Sequence, residues 1–255
     1  MLQKNSYPIL EFDDDQGSII SPEDFRERTG LFCTDKLIIS FFKDAIERLL
    51  EEKKIEPYQT IAGENERTVY RFVDDDVLLV QGLVGCPGTG GLLDELFGVG
   101  VRKVMFCGGG GVLDADIRVG ELFVVDGAIR DDGFSYHYVK PDRIIFANAE
   151  VKRTICSVLD EKNVPFTEGI TWTTDALFRE TKEKMLLRKS EGARMVEMEQ
   201  SGCIALSQFR GIRYGAILYG GDDISGDAWD ERNWHDQNGI RYTMIELCRD
   251  IVKQI

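Results

Sequence analysis

Apolar residues recur at helical spacing over Leu37, Ile38, Phe41, Phe42, Ala45, Ile46, Leu49 and Leu50. That period predicts an amphipathic helix capped by Asp35, finished by the charged run Glu51-Glu52-Lys53-Lys54 and closed by Pro57. Residues 1–34 have little periodicity, and only Tyr7 to Phe12 reads as a strand. Beyond the helix the rhythm becomes strand, glycine turn, helix. Val77 to Gln81 is a continuous apolar run of the kind a buried strand shows. Gly85 to Gly91 reads as a loop leading into a helix over Leu92 to Phe97. Val101 to Phe106 is the next strand, stopped by Cys107 and the glycines Gly108 to Gly111. Leu122 to Val125 is another strand, and the polar, aromatic stretch Arg130 to Tyr138 a long loop. Asn148 to Asn163 predicts a helix with Val151, Ile155, Val158 and Leu159 on one face. Phe166 to Trp172 reads as a strand and Glu180 to Lys189 as a charged helix, and Met195 to Asp223 adds a helix and a strand. Ile240, Met244, Leu247 and Ile251 place an apolar stripe on a C-terminal helix. The alternation predicts an α/β fold in a single domain over residues 1–255, a central mixed β-sheet flanked by α-helices, with residues 1–34 as an atypical N-terminal segment.

Charge and composition narrow the function classes. The 45 acidic residues against 31 basic ones give a formal net charge of −14. That disfavours nucleic acid as a partner, because a phosphate backbone calls for a basic footprint. No apolar run approaches the length of a membrane span, and the N-terminus lacks a basic region followed by an apolar core. The expectation is a soluble, cytoplasmic protein with no membrane partner. The six cysteines stand singly without a C-x-x-C pair, and His137 and His235 are too few for a histidine-rich site, so no metal is expected. Ser135 has no histidine and acid pattern around it, which sets a serine hydrolase aside.

Candidate chemistry concentrates in two places. Gly108 to Gly111 directly follow a strand, and bare amides in such a turn can form an anion-binding nest or admit a ligand closely. A purely structural tight turn is the equal alternative. The run is neither a dinucleotide fingerprint nor a Walker loop. The second place is Glu197-Met198-Glu199, followed by a helix-length segment and a strand ending in Gly220-Gly221-Asp222-Asp223. A strand ending in glycines and acids presents charge at the rim of an α/β sheet. On a helix Glu197 and Glu199 would not share a face and would be acids favoured by the macrodipole. On an extended segment they share one side, with Met198 opposite.

Val-Glu-Met-Glu-x-x-Gly from Val196 to Gly202, followed by a helix, a strand and Gly-Asp, resembles the nucleoside phosphorylase superfamily. That family includes hexameric purine nucleoside phosphorylases, uridine phosphorylases and related nucleosidases. The resemblance runs from roughly Val69 to Ile255 and takes in Leu79 to Gly91, Gly100 to Val104, Arg118 to Leu122, Arg130 to Tyr138 and Trp172 to Thr181. It implies cleavage of a nucleoside, purine in preference to uridine, by inorganic phosphate to free base and ribose 1-phosphate, with no other cofactor. Glu199 would then bind the ribose 2′ and 3′ hydroxyls, Met198 would pack on the sugar, and Glu197 would support that geometry. Phe178, beside Leu177, is the implied stacking residue. Asp222, or its neighbour Asp223, would hydrogen-bond and protonate the purine ring nitrogen. The backbone of Gly108, Gly109, Gly110 and Gly111 would touch phosphate and base. The resemblance also implies a homo-oligomer (dimer, trimer of dimers or hexamer) in which a neighbour completes the pocket.

The chain departs from the family at the phosphate. Phe106 stands where phosphorylases carry an arginine, and Gly109 where the loop carries serine or threonine. Residues 1–34 do not resemble the family's N-terminal glycine-arginine loop. Arg67, Arg71, Arg130 and Arg179 are candidate phosphate ligands without a matched motif. Thr181 and Glu183 stand where uridine-specific members place glutamine and arginine. The alternatives are a phosphate-independent nucleosidase and a protein that binds a nucleoside or nucleotide without cleaving it.

Overall fold

The computed structural model describes residues 2–61 and 66–255. Two short 3-10 turns, Pro8–Leu10 and Pro22–Phe25, precede a single helical turn α1 (Arg26–Thr29). The piece read as a strand at Tyr7 to Phe12 is therefore a turn; Pro8 opens it, with φ fixed and no N–H to give a sheet ladder. The helix expected from Leu37 to Leu50 is two elements, strand β1 (Lys36–Ser40) and helix α2 (Lys43–Glu51). Leu37, Ile38 and Ile39 are all fully buried, because β1 is covered on both faces; a short continuous apolar run cannot separate such a strand from a helix by period alone.

Strands β2 (Ile55–Ile61), β3 (Arg67–Phe72) and β4 (Leu78–Gln81) follow, then helix α3 (Cys86–Gly98). The loop expected at Gly85 to Gly91 is thus mostly the first turns of α3, with Pro87 preset for the helix start. Strand β5 (Lys103–Val112) runs through the glycines instead of stopping before them. Next come β6 (Leu122–Asp131), β7 (Ile144–Phe146), helix α4 (Ala149–Glu161), β8 (Phe166–Thr174) and helix α5 (Lys182–Ser190). The stretch Arg130 to Tyr138, expected as a loop, begins inside β6 and contains a 3-10 turn at Ser135–His137. Asn148 caps α4 through its side-chain oxygen, which accepts from the N–H groups of Glu150 and Val151. The chain ends with β9 (Ala193–Glu197), α6 (Gln200–Arg210), β10 (Arg213–Asp223) and α7 (Asn238–Val252).

The ten strands form one mixed sheet in the order β10-β6-β8-β9-β5-β1-β4-β3-β2, with β7 on β6 and β10 paired also to β5. That last pairing closes β5, β9, β8, β6 and β10 on themselves, while β1, β4, β3 and β2 extend as an open wing. Alternation along the strands sends Leu37 and Ile39 to one core with α3 and α6, and Ile38 to a second with α2, α4 and α7. The expected α/β class and helix-flanked mixed sheet are what the chain adopts. Residues before β1 lie along α3, where an added Cβ at Gly98 would sit 1.9 Å from the Pro22 carbonyl oxygen. Among the described residues no helix is long and apolar enough to cross a membrane.

Candidate active site

The site starts with a gap in the sheet. β10 accompanies β5 along one edge as far as Val112. On the other edge β1 keeps pace only to Cys107, and β9 joins at Gly111. Between those points that edge of Gly108, Gly109 and Gly110 has no strand beside it, and their main chain floors a cavity of about 440 Å³. The floor is bare because there is no room for anything else: a Cβ on Gly110 would lie 2.9 Å from the Val196 carbonyl oxygen, and one on Gly109 3.1 Å from the Tyr219 ring. The expected anion nest in a turn is not formed. In an extended strand successive N–H groups point to opposite edges and do not converge on one anion.

The turn from β9 into α6 supplies the acids, so neither the helical nor the purely extended reading of Glu197 to Glu199 holds. Glu197 closes the strand and is fully engaged. Its Oε1 accepts from Thr171 Oγ1 at 2.8 Å and Thr173 Oγ1 at 2.5 Å, and its Oε2 from the N–H groups of Glu199 and Gln200 at 2.6 Å each. Burial pushes its pKa up, and these four donors hold the rise back. Glu197 therefore caps α6 and fixes the turn that carries Met198 and Glu199. Glu199 reaches across to α3, where its Oε1 accepts from the Gly85 N–H at 2.7 Å. Burial, and then the neighbouring Glu197 carboxylate, push Glu199 up to about 8.

The end of β10 supplies Asp222, whose Oδ2 accepts from Trp229 Nε1 at 2.7 Å. An added Cβ at Gly111 would come within 3.4 Å of the same carboxylate, which places Asp222 at the far end of the glycine floor. Asp223 does not line the cavity: its backbone bridges to Asp230 and its Oδ1 accepts from the Ser225 N–H at 2.7 Å. Of the adjacent pair, Asp222 is the one presented.

Of the residues singled out from the sequence, Glu197, Met198, Glu199, Asp222 and the four glycines Gly108 to Gly111 all line this cavity. Phe178 does not; it is 96% exposed, and Leu177 lines the wall instead. The cause is the 3-10 turn Leu177–Arg179, whose period of three turns consecutive side chains away from one another and aligns residues three apart. The same period brings Glu180 into line with Leu177 on the cavity wall, a residue that sequence reasoning had placed only at a helix start. Burial, with the Asp222 carboxylate nearby, pushes Glu180 up to about 7.

The opposite end, around Phe106, is aromatic. Phe41 and Phe42, which follow β1, stand with Phe106, Tyr219 and Val84. The Phe41 and Phe106 rings are 5.3 Å apart, and Phe42 and Tyr219 5.8 Å. None of Arg67, Arg71, Arg130 or Arg179 lines the cavity; Arg130 spends its donors on Ser135 and on the carbonyls of Val139 and Lys140. The arginine that does line it is Arg241 of α7, which sequence reasoning missed. It donates to Tyr219 Oη at 3.0 and 3.2 Å and pairs with Asp44 at 3.2 Å. Trp234 and His235 complete the wall beside it.

Residues 35–253 match the family model described as the phosphorylase superfamily. The chain belongs to this superfamily. It is 26% identical over 162 residues to a guanosine phosphorylase of Halorubrum lacusprofundi, an alignment covering 61% of this chain and 67% of that protein. Its fold is similar to a uridine phosphorylase of Vibrio fischeri, with a TM-score of 0.73 at 19% identity over 87% of this chain and 92% of the other. It is also similar to a 5′-methylthioadenosine/S-adenosylhomocysteine nucleosidase of Helicobacter pylori, with a TM-score of 0.70 at 18% identity over 88% of this chain and all of the other, 100%. Phosphorylases and nucleosidases thus both stand among the superfamily members this chain is similar to.

Proposed function

We propose that this chain cleaves the N-glycosidic bond of a nucleoside, a purine nucleoside in preference to uridine, and passes the sugar to inorganic phosphate. The observation that carries the reading is the arrangement of Met198 and Glu199 over the bare floor of Gly108 to Gly110, with Asp222 at one end of it. Breaking the bond develops oxocarbenium character on the sugar. A carboxylate on the ribose hydroxyls fixes the ring and offsets that charge, which is the role of Glu199, while Met198 packs on the sugar. Glu197 is a positioning residue: its four hydrogen bonds hold the turn, and it has none left for substrate. Asp222 hydrogen-bonds the edge of the base. In this reading Arg241 is the cation available to phosphate, and a second copy of the chain covers Val84 and Leu177, which line the cavity while 69% and 51% exposed.

A second reading, transfer to water, has a specific observation behind it. The wall of Phe41, Phe42 and Phe106 offers no hydrogen bond to a phosphate dianion, and Arg241 is already paired with Asp44. Incubating the pure protein with a nucleoside panel, with and without phosphate, and chromatographing the released bases separates the two. Release that requires phosphate and yields ribose 1-phosphate is expected; equal release without phosphate makes the protein a nucleosidase. No release from any nucleoside, alongside measurable binding, would leave a nucleoside-binding protein on this fold.

A further inference from the structure

Glu180 has no assigned work in the fold. It lines the cavity half-buried, and among the described residues its carboxyl makes no hydrogen bond and no ion pair. A carboxyl that faces the cavity and bonds to nothing in the fold is free to meet a ligand there. Its neighbour in charge is Asp222, already satisfied on one oxygen by the Trp229 indole. Burial, and then the negative charge of Asp222, disfavour the ionised form of Glu180 and push it up to about 7.

The other charged groups around the cavity do not compete for this role. Glu197 and Glu199 belong to the sugar end, at the β9–α6 turn. Arg241 is turned to Tyr219 and Asp44, and His235 lies beside Trp234 with its Nε2 3.9 Å from Glu231. Lys182, on the helix that follows Glu180, pairs with Asp227 at 3.1 Å, and Lys184 with Asp131 at 3.4 Å.

We propose that Glu180, on the same cavity wall as Asp222, is the acid that protonates the departing base, while Asp222 holds the ring. The assignment rests on the cleavage reading above and holds for either nucleophile. As the bond from C1′ to the ring nitrogen breaks, its electron pair goes to the base, and the Glu180 proton moves to that nitrogen. The base leaves neutral and Glu180 is left ionised. The proton that phosphate or water gives up on bonding to C1′ restores it through solvent. Because Glu180 must hold a proton to act, turnover falls as pH rises through its value in the complex, which burial and Asp222 keep above that of a free carboxyl. The fall is read in kcat at saturating nucleoside, where sugar hydroxyls already hold Glu199 ionised.

The test compares a purine nucleoside with its 7-methylated, ring-cationic analogue, whose base departs neutral without a proton. Glu180→Gln should lower kcat about 10²- to 10⁴-fold on the parent nucleoside and leave the methylated one within about tenfold. Activity on the methylated nucleoside also reports that the variant is folded. That alkaline limb should disappear from what activity remains. An undiminished kcat on the parent, or equal loss on both substrates by Glu180→Gln and Glu180→Asp alike, overturns the assignment. A wild-type protein that cleaves neither nucleoside overturns the parent reading and this assignment with it. Wild-type cleavage of both with Glu180→Gln unaffected overturns this assignment alone.

Discussion

Burial and the Glu197 carboxylate push Glu199 up to about 8, whereas a sugar that donates its hydroxyls prefers the carboxylate. A folded-state pKa of about 8 lies above the value near 4.3 that an unfolded chain would show. The native protein therefore holds a proton that the unfolded chain has released, and the stability this confers is complete below about pH 4 and lost as pH rises through 8. Glu199→Gln removes that dependence and keeps an acceptor for the Gly85 N–H. Under the proposed function it should lower turnover about 10²-fold or more, having lost the charge under the oxocarbenium ion. Its thermal midpoint should lie nearest the wild type's at about pH 4 and gain on it steadily up to about pH 8. Full activity, or a midpoint difference that does not change with pH, would remove Glu199 from the sugar site. Glu197, Met198 and Glu199, which line the cavity, were legible in the chain because they are contiguous and stand in a motif that resembles the superfamily's. Glu180 and Arg241 were not legible. One enters through the period of a 3-10 turn too short to leave a pattern, and the other from a helix whose apolar stripe says nothing of what its remaining side chains face.

At the scale of elements the sequence was most readable where one face alone is buried, as in α4, and least where a run is buried on both sides. β1 and α2 were fused into one helix for that reason, and β5 was cut short because glycines are sparse in strands that carry a side-chain layer. Here the layer is absent by necessity, since Val196 closes on the strand at Gly110 and Tyr219 closes on it at Gly109, on the opposite face. Gly110→Ala puts a methyl against the Val196 carbonyl, a backbone atom that cannot swing aside. We predict a loss of about 1–3 kcal/mol, read as a lower midpoint in urea with an unchanged slope, together with loss of nucleoside binding. Wild-type stability and binding in Gly110→Ala would mean that β9 and β5 are not held at this distance. The same tightness explains why Glu197 needs four hydrogen bonds: the turn it fixes lies directly over the floor.

For the whole molecule, the closed set of strands and the open wing meet at β5, and the cavity lies in the gap where one hands over to the other. The class and the mixed sheet could be read from the alternation of helices and strands; the closure through β10 and β5 could not, because pairing between distant strands leaves no local periodicity. The exposed Val84 and Leu177 at the cavity wall bear on assembly. Sedimentation of the pure protein should give a dimer or a multiple of it, as expected if a second copy covers them, and a monomer at the concentrations used for turnover would show that the cavity is complete in one chain. The glycine floor has a further consequence for how such a protein can change its substrate. A surface made of main chain has no side chains to exchange, so substitution there can only add bulk and subtract space. New selectivity for base or nucleophile has to be written into the rim, at Leu177, Glu180, Trp234 and the two phenylalanines after β1, while the floor stays the same surface whatever lies on it.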